Sequence, residues 1–194
     1  MQYMKLTKDM SNPIRAVAVF NDKKINGLVH FTEEPSKSRV RIDVSLTGLK
    51  SSGLHGFHVH EYGDMSESCE SMCAHFNPYN KTHGCPGMKD RHVGDLGNLK
   101  TNAKGEAKYT FYDDFISLRG TKSNIIGRGL IIHADEDDCG LGGQPDSLIT
   151  GHAGKRIACS VIGYASPPKS EITPSVPSVP SPPRHITEYK TSGQ

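Results

Sequence analysis

Apolar and polar residues alternate with a period of two through much of the chain. Val40, Ile42, Val44 and Leu46 fall on one parity and Arg41, Asp43, Ser45 and Thr47 on the other, the signature of a strand with one face in a core and the other in water. The same rhythm, rich in β-branched residues, recurs over 15–20, 26–31, 107–112, 129–133 and 156–164, with Asn21-Asp22 and Lys104-Gly105 as turn punctuation between runs. No stretch sustains a helical stripe, so the expected class is all-β, a sandwich or a barrel. Two stretches, 61–94 and 134–155, refuse the pattern. Irregular loops of that length inside a compact β domain are usually functional or disordered, and these two hold most of the polar chemistry.

Composition divides the chain. Only 35% of its 194 residues are hydrophobic, low for a wholly globular protein. Seven of the 12 prolines lie between Pro167 and Pro183, where a Pro-Ser-Val unit repeats every three residues, the period of polyproline II. Such a segment cannot bury enough surface to offset its ordering entropy. The expected organisation is a flexible leader at 1–11, a folded domain at 12–165 and a disordered proline-rich tail at 166–194. The tail reads as a spacer, with docking to an aromatic-lined groove of a partner as the alternative. A formal charge of +2 excludes a nucleic-acid protein that binds through bulk positive charge. No run of about 18 apolar residues is present, so no membrane helix is expected. The first 20 residues lack the unbroken apolar core of a secretory signal, and a cytoplasmic location is expected.

The histidines locate the chemistry. Six of the ten, His58, His60, His75, His83, His92 and His133, fall in or beside the two irregular stretches. His58 and His60 are two apart in a strand-like run, so both rings project from one face and can converge on one metal. Alone, such a pair is more often an ordinary hydrogen-bonded surface feature. His75, His83, His92 and Asp95 follow at spacings of eight, nine and three, and three imidazoles with one carboxylate make a closed tetrahedral set that suits zinc. The competing reading is a solvated, pH-sensitive surface.

The segments GLHGFHVHEYGD, HFNPYNKTHG, RHVGDLGN, IIGRGLIIHADEDD and GHAGKRIACSVIGYA closely resemble copper/zinc superoxide dismutase, in the right order from about residue 14 to 165. The resemblance implies a Greek-key, immunoglobulin-like β-sandwich or flattened barrel with two long functional loops. It implies copper held by His58, His60, His75 and His133, and zinc held by His75, His83, His92 and Asp95, with His75 bridging. It makes Asp137 the carboxylate linking His58 to His83, Arg156 the group that meets the superoxide anion, and Cys69–Cys159 a disulfide. A homodimer through Gly63, Ile126, Gly127 and Tyr164 and a copper chaperone are the partners it implies. The alternative reading is a dismutase-like metal-binding or copper-delivery module with little activity.

The chain also departs from the family. Glu136 and Ile149 stand where many members carry lysines that draw in the anion, so weaker steering is expected, with Lys155 or His152 as candidate compensation. Of the five cysteines, Cys73, Cys85 and Cys139 are not family positions. They are expected as free thiols, with a Cys73–Cys85 bridge as the alternative.

Overall fold

The structure is a computed structural model and describes residues 12–168. The leader expected at 1–11, and the expected tail beyond its first three residues, lie outside the described residues. Among those described, β1 (Ile14–Asn21), β2 (Asn26–Glu33), β3 (Val40–Thr47), β4 (Leu54–His60), β5 (Asp95–Lys100), β6 (Ala107–Asp113), β7 (Gly129–His133), β8 (Arg156–Val161) and β9 (Gly163–Tyr164) form two sheets, ordered β6-β3-β2-β1-β9 and β5-β4-β7-β8. Every pairing is antiparallel. β3 lies beside β6, not β4, the return connection of a Greek key. The two sheets also touch where β5 meets β6 and β1 meets β8, so the sandwich is a flattened barrel.

Alternation builds the core as expected. Val40, Ile42, Val44 and Leu46 of β3 are buried, facing Phe57 and Val59 of β4 and Leu130 and Ile132 of β7. In β4 and β7 the opposite parity is buried too: His58, His60, Ile131 and His133. Those side chains lie under the two irregular stretches, which carry only a 3₁₀ turn (Glu70–Met72) and a one-turn helix, α1 (Ser147–Thr150).

The expected run at 156–164 is two strands. β8 stops at Val161, Ile162 enters the core, and β9 pairs with β1 in the other sheet. Periodicity carries no information about a strand that changes sheets. β5 has no counterpart among the expected runs because Gly97, at φ +77, and Asn98 interrupt its apolar pattern.

The cysteine expectation is corrected. Cys69 and Cys159 are bonded, Cα–Cα 5.7 Å, tying the 61–94 stretch to β8. Cys85 and Cys139 are bonded as well, Cα–Cα 4.9 Å, and Cys73 is left free and exposed. Cys85 faces across to the 134–155 stretch, whose Leu148 carbonyl accepts the His83 N–H at 2.9 Å, rather than back along its own loop. The 54-residue separation hid this pairing.

Candidate metal centre

Strand register assembles the site. In the four-stranded sheet Asp95 stands opposite His58 and Arg156 opposite His133, and directly opposed residues share a face. An isolated bridge between His60 and His75 brings the 61–94 stretch onto that face.

Two clusters result. His58, His60, His75 and His133 offer ligand atoms within 4.8 Å of one another, and so do His75, His83, His92 and Asp95; all are buried. Every sequence-assigned ligand is therefore in a cluster, and His75 belongs to both.

The hydrogen bonds decide which ring nitrogens remain bare. His58 Nε2 donates to Asp137 Oδ2 at 2.7 Å, His60 Nδ1 to the Cys73 carbonyl at 2.8 Å, and His133 Nδ1 to the Gly154 carbonyl at 3.1 Å. Fixing the proton on one nitrogen leaves the other as a lone-pair donor. The nitrogens left over, His58 Nδ1, His60 Nε2, His75 Nε2 and His133 Nε2, are buried and have no hydrogen-bond partner. Four unpaired buried acceptors converging on one point would be a costly arrangement without an ion between them, and an all-imidazole set suits copper.

In the second cluster, Asp95 Oδ2 accepts the N–H groups of Gly84 (3.1 Å) and His92 (2.8 Å). Its Oδ1 is thereby turned toward Nδ1 of His75, His83 and His92 at 2.9, 3.1 and 3.1 Å. A tetrahedron with bonds of about 2.0 Å has edges of about 3.3 Å, so these four atoms fit a zinc ion. Asp137 joins the clusters: its Oδ1 accepts from His83 Nε2 at 2.8 Å while Oδ2 holds His58. Gly151, at φ +67, packs on this junction, where a Cβ would collide with both Asp137 and His83.

The electrostatics agree. Burial, then the neighbouring His75, pushes His58 down to about 3. Burial likewise dominates at His133, which falls to about 4 against the pull of its hydrogen bond to Gly154, and His60 lies far below the ordinary imidazole range. These rings are neutral at pH 7, as metal ligands must be. His83 goes the other way. Burial opposes its charge, but the Asp137 and Asp95 carboxylates outweigh that and raise it to about 9.

The family model for copper/zinc superoxide dismutase matches residues 25–162. The chain belongs to the copper/zinc superoxide dismutase family. It is 55% identical over 157 residues to the copper-zinc superoxide dismutase of Paramecium bursaria Chlorella virus 1, covering 81% of this chain and 82% of that one. Against the Schizosaccharomyces pombe enzyme it is 50% identical over 153 residues, 78% of this chain and 99% of that one. The crystal structure of the clock protein EA4 superposes with a TM-score of 0.76 at 44% identity, covering 79% of this chain and 96% of that one. The protein is a superoxide dismutase with copper and zinc as cofactors, and the delivery-module alternative is set aside.

Sequence reasoning missed the supports of this dismutase site. His55 is buried with Nδ1 on the His133 carbonyl at 2.8 Å. Asn98 bonds both the N–H and the carbonyl of Asp137 at 2.8 Å. Arg91, 2% exposed, donates to the Asp95 carbonyl at 2.5 Å. Of these, only Arg91, a charged residue directly before His92, left a signal that could have been read.

Proposed function

We propose that copper is held by His58, His60, His75 and His133 and zinc by His75, His83, His92 and Asp95, with His75 shared. The observation that carries this reading is the convergence of four buried ring nitrogens without hydrogen-bond partners. The reaction converts two superoxide anions and two protons to dioxygen and hydrogen peroxide. Copper supplies a one-electron reservoir and zinc a fixed positive charge.

The protein's own groups do the rest. Arg156 gives three N–H bonds to the carbonyls of Cys69 (2.7 Å), Glu70 (3.2 Å) and Cys73 (2.5 Å). That leaves Nε–H and one Nη2–H to bind a small oxyanion, which an always-charged planar donor suits. Its charge contributes to the low values of His60 and His133, so it acts on the copper side. His75 Nε2, buried and without a protein partner, would hold one of the two protons the peroxide needs, with the second drawn from solvent. Asp137, lowered to about 2 by the His58 and His83 bonds that outweigh its burial, stays anionic and holds both rings.

Steering is weak. Glu136 is exposed and Ile149, in α1, is 64% exposed, and His152 is engaged by Asp146 at 2.7 Å, which leaves Lys155 as the remaining candidate. Protein loaded with both metals should consume superoxide, metal-free protein should not, and the rate should fall only shallowly as ionic strength rises, since few exposed charges are there to screen. Full metal content without superoxide loss would identify a metal store, and a steep salt dependence would sink the steering claim.

Zinc uptake should be coupled to protons. His83, raised to about 9, is protonated in the metal-free protein at neutral pH, and Nδ1 must lose that proton to bind. Zinc affinity therefore rises about tenfold per pH unit between pH 7 and 9 and flattens above. Competition with a chelator across that window measures it, and a flat profile contradicts the raised His83 value.

We place the protein in the cytoplasm, where the exposed free thiol of Cys73 would persist. A relative from Drosophila melanogaster, 48% identical, is an extracellular superoxide dismutase, so cell fractionation decides. A homodimer through Gly63, Ile126, Gly127 and Tyr164 is supported by the 70% exposure of the Tyr164 ring and by Ile126, which is only partly buried, and a copper chaperone remains the proposed donor.

A further inference from the structure

We propose that the Cys85–Cys139 disulfide is a reversible redox site that sets how firmly the zinc cluster holds its metal. The proposal rests on the zinc assignment above. Cys85 follows His83 by two residues and Cys139 follows Asp137 by two. The bond therefore closes around the junction where Asp137 Oδ1 accepts both His83 Nε2 (2.8 Å) and the Cys139 N–H (2.7 Å).

The two sides of this junction are anchored unequally. Asn98 fixes both the N–H and the carbonyl of Asp137 from β5, whereas the backbone of His83 is held by a single N–H bond to the Leu148 carbonyl. Across the junction, 84–90 contains no strand or helix, and Pro86, Gly87, Lys89 and Asp90 are exposed. Within it Gly84 donates to Asp95 Oδ2. Opening the disulfide thus loosens the His83 and Gly84 side, which presents one zinc-facing nitrogen and one of the bonds that orient Asp95. Both cysteines are only half-buried, within reach of a small thiol.

The chemistry balances in both directions. Two molecules of a glutathione-type monothiol reduce the bond, giving two cysteine thiols and one small-molecule disulfide. Hydrogen peroxide, the product of dismutation, closes it. One thiol is oxidised to a sulfenic acid with release of water, and the second thiol displaces a second water as the sulfur–sulfur bond forms. The enzyme's own product thereby tightens its zinc site.

The test is the full chain carrying Cys85→Ser and Cys139→Ser together, loaded with copper and zinc, its Cys69–Cys159 bond verified by intact mass. Zinc release to a chromogenic chelator should be roughly tenfold faster than from oxidised wild type, the lower end of what outer-shell changes cost in metal affinity, and the copper paramagnetic spectrum should shift. Thiol treatment should bring wild type to the same rate and peroxide should restore it, while the double variant responds to neither. Equal release rates overturn the proposal, as does a lowered melting temperature with unchanged zinc release, or thiol sensitivity that persists in the double variant. An Asp95→Ala variant separates the two readings. If it keeps zinc as wild type does, the zinc assignment fails and this proposal with it; if it sheds zinc while the double variant does not, this proposal alone fails.

Discussion

Replacing His58 with alanine is expected to slow superoxide consumption by at least about 100-fold while leaving zinc bound. His58 is fully buried and supplies Nδ1, an atom with no protein partner, to the copper-side cluster. Changes one layer further out, at groups that merely orient a ligand, already cost about 10- to 100-fold in metal affinity or activity, so loss of a ligand itself belongs at or beyond the top of that range. The zinc-side cluster contains no atom of His58, and Asp137 keeps its bond to His83 at 2.8 Å. Copper and zinc content and the superoxide rate, measured together, check both halves. His152→Ala is the matched control: that ring is exposed, paired to Asp146 and outside both clusters, and its variant should stay within about twofold of wild type. A His58→Ala protein that retains copper and the wild-type rate refutes the copper assignment.

The residues of the two clusters were legible in the sequence and their supports, Asp137 apart, were not, for one physical reason. A metal site needs several particular side chains at strand and loop spacings that leave a pattern, and His58, His60, His75, His83, His92 and Asp95 did so, while His133 joined them through the family resemblance. What orients them is largely backbone: carbonyls of Cys73 and Gly154 for the rings of His60 and His133, and N–H groups of Gly84 and His92 for Asp95. Any residue supplies a backbone group, so no residue type marks those positions. The same limit applies to β8 and β9, one periodic run in which Ile162 crosses between sheets. It applies again to Cys85 and Cys139, whose partnership exists only once the two irregular stretches are laid against each other.

Arg91 is where the larger stability effect is expected. Its side chain is 1% exposed, its Nη2 meets Asp113 Oδ2 at 2.6 Å, and its guanidinium carbon lies 4.1 Å over the Phe115 ring. Removing one partner of a buried pair strands the other charge, at a cost of about 3 to 5 kcal/mol. At roughly 2 to 4 °C per kcal/mol for a chain of this size, Arg91→Met should lower the melting temperature by roughly 10 °C. Adding Asp113→Asn should recover a large part of that loss, because the amide removes the stranded charge while its oxygen can still accept the Phe115 and Ile116 N–H bonds that Asp113 Oδ1 takes at 2.8 and 3.0 Å. A double variant as unstable as the two single losses added together would show that the pair is not coupled. The recovery should not extend to zinc: Arg91 Nη1 also holds the Asp95 carbonyl at 2.5 Å, and Asp113→Asn restores nothing there. Thermal stability rescued with zinc affinity still weakened is therefore the expected signature of a buried arginine that serves the core with one nitrogen and the metal centre with the other.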